Sequence, residues 1–306
     1  MIEKMDLMAL KIVNKNGIVS NGEFNALGLA TRHYNTEDKV LGYLENLDYK
    51  ESILANKQIT AIVTTPDIAK EISCDFKGGI YTCAQPRNSF FEIHNYLKQE
   101  TDFYYTSHKN QIAETAYIHP TAVIEEENVV IGENCNIGAY TVIKENSYIG
   151  DNVNIREGCT IGTPAFYYYG EDDDKKLVES AGSVIIEDNV ELHSGVSIEK
   201  GVFGSATRIG RNTKIDNLTL VGHDSSIGRN CVIAAGTTLA GYVTLKDSVF
   251  LGVAVAIAPL VTVGEHCTVS IGAAVTKDTQ DNVQVSGNFA IEHSQFIKNL
   301  KSSIEL

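Results

Sequence analysis

The chain has no run approaching the roughly 20 apolar residues that a membrane-spanning helix needs. Its first residues, MIEKMDLMALKIV, place acids among the apolar positions and lack the basic, apolar, small-residue order of a secretory signal. Basic side chains are scarce. Against 39 Asp and Glu there are 25 Lys and Arg, a formal charge of -14, which argues against nucleic acid or an anionic membrane as the main partner. The six cysteines, Cys74, Cys83, Cys135, Cys159, Cys231 and Cys267, contain no CxxC pair. Without a secretory context, neither a disulfide framework nor a zinc knuckle is favoured. The expected setting is the cytoplasm, with no metal and no permanently bound cofactor.

What the sequence does have is a period of six. Branched aliphatic residues recur at Ile131, Ile137, Ile143, Ile149, Ile155 and Ile161, then at Ile186, Leu192 and Ile198. They continue at Ile209, Ile215, Val221, Ile227, Ile233, Leu239, Leu245, Leu251, Ile257, Val263, Val269 and Val275. Four residues after each comes a small side chain, such as Thr213, Thr219, Ser225 or Thr237. Cys135, Cys159, Cys231 and Cys267 fall in that slot and read as small core fillers rather than nucleophiles. The position after the aliphatic is often glycine, as at Gly132, Gly138, Gly222 and Gly252, suiting corners where a Cβ would crowd the turn. Short strands and corners at this period predict a parallel β-coil of three strands per turn, with turns about 4.8 Å apart. The repeat resembles the hexapeptide acyltransferase superfamily. Since right-handed crossovers are the general rule, a left-handed prism and a homotrimer are implied by that resemblance alone.

Residues 1–112 lack the six-fold pattern and predict a small α/β domain. Ile59 to Val63 leads into Thr65-Pro66, a capping residue and a first-turn proline, and Ser89-Phe90-Phe91-Glu92 reads as a capping box opening a helix with Ile93 and Leu97 on its apolar face. The coil is expected over 113–285. Residues 163–183, TPAFYYYGEDDDKKLVESAGS, break the period; they form either a lid over a site, their own or a neighbour's, or a solvated excursion. Phe289, His293, Phe296, Ile297 and Leu300 have helical spacing, so 286–306 should close the chain with one short helix.

For proton transfer the candidate is His223, in LTLVGHDSSIG, two residues after core Val221, with Gly241 one turn of 18 residues later. A histidine stacked beneath a glycine whose bare N–H meets an oxyanion is the geometry of acyl transfer; the alternative is a structural corner histidine. Asp216 and Asp224 both lie near enough in sequence to orient it. Lys200, Arg208, Arg211, Lys214 and Arg229 face only Asp216 and Asp224 in sequence, and read either as a phosphate-attracting island or as solvated corners.

The stretch GSVIIEDNVELHSGVSIEKGVFGSATRIGRNTKIDNLTLVGHDSSIGRNCVIAAGTTLAG resembles the UDP-3-O-acylglucosamine N-acyltransferases of lipid A synthesis, above all in its IDN…GH…AG succession. VLGYLENLDYKES followed by ITAIVTTPDIAKEI is similar to the uridine-binding domain of that family. The resemblance implies His223 as general base, Gly241 as oxyanion donor and Asn217 as a substrate contact. It also implies Tyr43, Asn46 and Tyr49 as a uracil site, where two rings sandwich a pyrimidine and an amide reads its edge; both tyrosines as core residues is the other reading. Three departures weaken the match. Pro164-Ala165-Phe166-Tyr167-Tyr168-Tyr169 replaces a GFGY-type stretch, Leu260 stands where a second histidine is expected, and the long C-terminal helical extension is reduced, the ending VSGNFA resembling coenzyme A-dependent sugar acetyltransferases. The expectation is therefore an N-acyltransferase for a UDP-linked amino sugar. A short acyl group from acyl-coenzyme A stands slightly ahead of a hydroxyacyl group from acyl carrier protein in lipid A synthesis. A zinc-dependent carbonic anhydrase on the same prism would need a close histidine pair, absent around His223; a non-catalytic scaffold would make His223 dispensable.

Overall fold

The computed structural model describes residues 4–29, 37–287 and 290–304. Among them the period of six forms a triangular coil whose three faces are parallel sheets of eight, eight and nine strands. It starts two residues earlier than the sequence suggests, at Gln111–Ile112, and ends at Gln284–Val285. Register follows the turn of 18, as in Ile209↔Ile227↔Leu245↔Val263. The repeating aliphatics all point inward to one continuous core, each contributing about 1.5–3 kcal/mol by leaving water.

The corners have a fixed chemistry. A Cβ on Gly222 would lie 2.6 Å from the Ala240 carbonyl carbon of the next turn, so the first corner residue is small because two backbones touch there. The third takes left-handed φ, and Asn128, Asn134, Asn146, Asn152, Asn189, Asn212 and Asn230 occupy it at 55° to 62°, a conformation that asparagine tolerates best after glycine. The fourth is the small slot. There Cys135, Cys159, Cys231 and Cys267 are buried, and the Cys159 and Cys231 thiols donate to the His193 and Lys246 carbonyls at 3.0 and 3.2 Å. Thr213 and Ser225 do the same toward Gly228 and Ala240. Burial pushes the Cys159 and Cys231 thiols up to about 11, which suits inert fillers.

The N-terminal segment is a five-stranded sheet in the order Ile18–Ser20, Gly79–Thr82, Ile59–Thr64, Val40–Leu44, Ala26–Leu27, the first strand antiparallel and the others parallel. Three helices accompany it: α1 (Lys50–Ala55), α2 (Pro66–Ile72) and α3 (Pro86–Glu100). Thr65 caps α2 as its sequence suggests, accepting from the Ile68 N–H at 3.3 Å. Helix α3 starts earlier than the expected capping box: Pro86 opens it, and the Ser89 N–H already donates to the Gln85 carbonyl at 3.0 Å. A proline in the first turn needs no N–H partner, so it displaced Ser89 as the start. The C-terminal helix α4 covers His293–Ile304 with Phe296 and Leu300 exposed; Asn288 and Phe289, within the region expected to be helical, lie outside the described residues.

Residues 163–183 are anchored at their base, while their acidic tip, 171–176, is exposed. Tyr168–Tyr169 pairs antiparallel with Lys176–Leu177, and Ala165, Tyr169, Val178 and Ala181 are buried. A second excursion, unremarked in the sequence although Ile198 to Ile209 skips the period, carries Val202 and Phe203 outward at the same coil edge. Both excursions share one apolar core with Phe90 and Phe91 of α3. Phe203 lies 5.5 Å from Phe90 and stacks on Phe91 at 6.1 Å. Polar seams close the joint: Asn95 donates to the Leu177 carbonyl and accepts from the Glu179 N–H, both at 2.9 Å, and the Arg87 guanidinium reaches the Tyr168 carbonyl at 3.4 Å.

His94 sits inside this joint, fully buried, its Nε2–H donating to the Glu179 carbonyl at 2.7 Å and its Nδ1 accepting from the Tyr104 hydroxyl at 2.5 Å. Burial pushes its pKa down to about 4 from 6.5. The folded pKa is the lower one, so the unfolded chain binds the extra proton. This contribution is complete above pH 6.5 and is lost as pH falls toward 4, to the extent of roughly 3 kcal/mol. Melting temperature measured from pH 7 to 4 should therefore fall more steeply in the native protein than in His94→Gln; parallel profiles would refute the assignment.

Candidate active site

His223 occupies the corner directly above the two excursions, one turn on from Lys200 (Ile198↔Val221). Its N–H donates to Glu199 Oε2 at 3.0 Å and its carbonyl accepts from the Tyr242 N–H at 2.7 Å. The side chain is only 11% exposed, with the Tyr242 ring edge-on at 4.9 Å and the Tyr167 ring at 5.8 Å.

Of the two candidate orienting groups, Asp224 holds the imidazole: Nδ1 to Asp224 Oδ2 is 2.8 Å. Asp216 is turned elsewhere, accepting from Asn217 and lying 3.6 Å from His193. The left-handed φ of Asp224, 59°, curls its side chain back onto its neighbour. Its carboxylate also accepts from the Val202 N–H at 3.1 Å and from the Ser205 hydroxyl, so the second excursion fixes it. A carboxylate so held accepts a hydrogen bond from Nδ1–H and leaves the Nε2 lone pair outward, the tautomer of a general base.

Gly241 meets that lone pair. A Cβ there would lie 2.4 Å from Nε2, and among the described residues the Gly241 N–H donates to no protein acceptor. Backbone amide and imidazole nitrogen thus border the same small space. Leu260, the next residue along this edge, is exposed and offers no proton-transfer group.

Asn217 is not brought to His223 within one chain. It lies at the preceding corner, on another edge of the triangle, its Oδ1 accepting from the Ser194 N–H at 3.1 Å. Tyr43 ends the strand Val40–Leu44, half-buried against Phe90 and Phe91 at 5.2 and 6.2 Å; Asn46 caps the turn that follows, accepting from the Asp48 N–H at 3.0 Å, and Tyr49 is exposed. All three lie at the carboxyl edge of the parallel strands, where open α/β sheets bind ligands. A cavity of about 600 Å³ opens at the amino edge instead, and its lining includes neither Tyr43 nor His223.

The basic stretch is not an island once the coil is wound. Stacking brings acids from other turns onto it: Arg211 pairs with Asp188 at 2.8 Å, Lys214 with Glu191 at 2.7 Å, and Arg229 with Asp247 at 2.6 Å. Lys200 is buried against Glu145 at 3.2 Å, beside Lys98, and burial pushes its pKa down. Arg208 is exposed on an outer face. Sequence reasoning omitted Tyr167, Tyr242, Ser205 and Glu199 from the site. Tyr242 was legible, since it follows Gly241 as Asp224 follows His223.

Two segments of the coil, residues 128–163 and 206–241, match the bacterial transferase hexapeptide repeat. The coil is thus a left-handed parallel β-helix of hexapeptide repeats. The UDP-3-O-acylglucosamine N-acyltransferase of Rhodopseudomonas palustris (strain BisB5) is 40% identical over 81 residues, 25% of this chain and 22% of that protein. The Bradyrhizobium diazoefficiens protein of the same name is 30% identical over 209 residues, 55% of this chain and 57% of its own. Both relatives carry the name of the family that the sequence resembles, and the matched segments span little more than half of either at most. The solved UDP-N-acetylglucosamine acyltransferase of Francisella novicida aligns over 62% of this chain and 71% of its own, at 27% identity and a TM-score of 0.49. No helix among the described residues is long and apolar enough to cross a membrane.

Proposed function

We propose that the chain is an N-acyltransferase that moves an acyl group from a thioester to the amine of a UDP-linked amino sugar. The observation that carries this reading is the pairing of Asp224, His223 and Gly241 in one confined corner. Nε2 takes the amine proton as nitrogen attacks the thioester carbonyl, and the Gly241 N–H meets the oxyanion. Collapse of the tetrahedral adduct breaks the C–S bond, and the imidazolium returns the proton to the departing thiolate. Asp224 holds the imidazole in register for both transfers. Tyr43, Asn46 and Tyr49 hold the uracil, and the aromatic path Tyr43, Phe91, Tyr167, His223 connects that pocket to the base.

A short acyl group carried on coenzyme A is the favoured donor, in keeping with the segment VSGNFA. The relatives' name supports a second reading, hydroxyacyl transfer from acyl carrier protein onto a 3-O-acylated sugar. Incubating the protein with UDP-amino sugars and either acetyl-coenzyme A or acylated carrier protein, and following thiol release, separates the two. Silence with both donors leaves a scaffold.

The working unit is a homotrimer on this reading. The edge that carries Asn217 exposes Leu218, Val253 and Ile271 at 74%, 45% and 59%, an apolar strip that a second copy would cover. That contact would place Asn217 of one copy beside His223 of the next. Co-refolding inactive His223→Ala with Asn217→Ala should then restore part of the activity, whereas no recovery at any mixing ratio would count against a shared site.

A further inference from the structure

Tyr167 stands between the Phe91 ring of the N-terminal segment and the imidazole. Its ring is 5.8 Å from His223 on one side and edge-on to Phe91 at 5.6 Å on the other. It is held in place: its N–H donates to the Ala165 carbonyl and its carbonyl accepts from the Val178 N–H, both at 2.9 Å, while Ala165 and Tyr169 on either side are buried. Phe166 and Tyr168 point outward, so Tyr167 alone of this aromatic run faces the base. Moving the ring aside would break its contact with Phe91, which stacks on Phe203 in the joint between domain and coil.

The surrounding walls suit a bare sugar. Tyr43 presents its phenol near the Arg87 guanidinium and Tyr167, and the Tyr242 ring stands edge-on to His223. Such groups match sugar hydroxyls, and an aromatic face matches the C–H face of a pyranose. A hydrocarbon chain beside the amine would have to cross these polar groups and the Tyr167 ring together.

We propose that Tyr167 sets acceptor specificity, admitting a nucleotide-linked amino sugar whose hydroxyl beside the amine is free and rejecting one that carries an acyl chain there. This rests on the transfer reading above and selects its acceptor class. The discrimination resides in the ring as a steric wall, so removing the ring should matter and removing its hydroxyl should not.

The test compares kcat/KM for a UDP-2-amino sugar with a free 3-hydroxyl and for its 3-O-acyl counterpart, in the native chain, Tyr167→Gly and Tyr167→Phe. Equilibrium binding of both sugars to His223→Ala, with and without Tyr167→Gly, is measured by calorimetry. The native chain should prefer the free sugar by about 30-fold or more, Tyr167→Gly should shrink that ratio about tenfold, and Tyr167→Phe should keep it. Preference of the native chain for the acylated sugar, or an unchanged ratio in Tyr167→Gly, overturns the proposal. Selective binding without thiol release would remove the transfer reading yet uphold the selectivity; if neither sugar binds, both fall.

Discussion

Thiol release should fall by about 10²- to 10⁴-fold when His223 is replaced by alanine, the range typical of a general base. On the proposed mechanism the loss belongs in kcat, because Nε2 would act on the amine proton only as the C–N bond forms, and the proposed uridine contacts lie on a different element. Folding should be nearly untouched. His223 is a corner residue whose backbone bonds, to the Glu199 carboxylate and from the Tyr242 N–H, survive the change, and Asp224 keeps the Val202 N–H and Ser205 hydroxyl as partners. Steady-state kinetics and a melting curve on the same preparation decide the matter. Activity within threefold of native, with acceptor and donor both saturating, would remove His223 from the chemistry.

The second large effect is expected from a single methyl group. In Gly241→Ala the new Cβ falls 2.4 Å from Nε2, well inside contact distance, so the imidazole must swing away from Asp224 or the turn must lift. Either movement would disarm the proposed base and displace the amide proposed to face the oxyanion, and the expected loss is about 10²- to 10³-fold in kcat. Gly158, two turns below Asn217, provides the contrast. A Cβ there meets nothing within 4 Å, but φ is +68°, so Gly158→Ala should cost about 1 kcal/mol of stability through left-handed strain and leave catalysis alone. If the two substitutions reduced kcat equally, the close approach at Gly241 would have no catalytic meaning.

Much of this architecture was readable before any coordinates. An inward aliphatic every sixth residue points to a three-sided parallel coil, though not to its hand, and the turn length of 18 alone sets Gly241 over His223. The orienting acid was not readable, because Asp216 and Asp224 are equally near in sequence and only the left-handed backbone at Asp224 returns its carboxylate to the ring. The same blindness produced the false island of charge: Arg229 and Asp247, 18 residues apart, are neighbours once wound. The tyrosine run announced a break in the coil but not its direction, since the alternation that turns Tyr167 inward exists only after the hairpin Tyr168–Tyr169 with Lys176–Leu177 has formed. Asn217 was placed by resemblance, and the chain by itself puts it on another edge.

The joint between the α/β segment and the two excursions divides the coil mechanically. Turns beyond Val243 pair strand to strand with the turn before and the turn after, the Lys246–Asp281 ion pair reaching one turn further, so they behave nearly as a linear stack in which each layer's stability depends on its neighbours. Such a stack frays from its free end. Amide protection should decline stepwise toward Gln284–Val285, whereas the layers beneath His223 are welded to α3 through Phe91 and Phe203 and open only when the whole N-terminal half does. The reactive corner sits at the first layer above that weld, the last place a fraying front would reach.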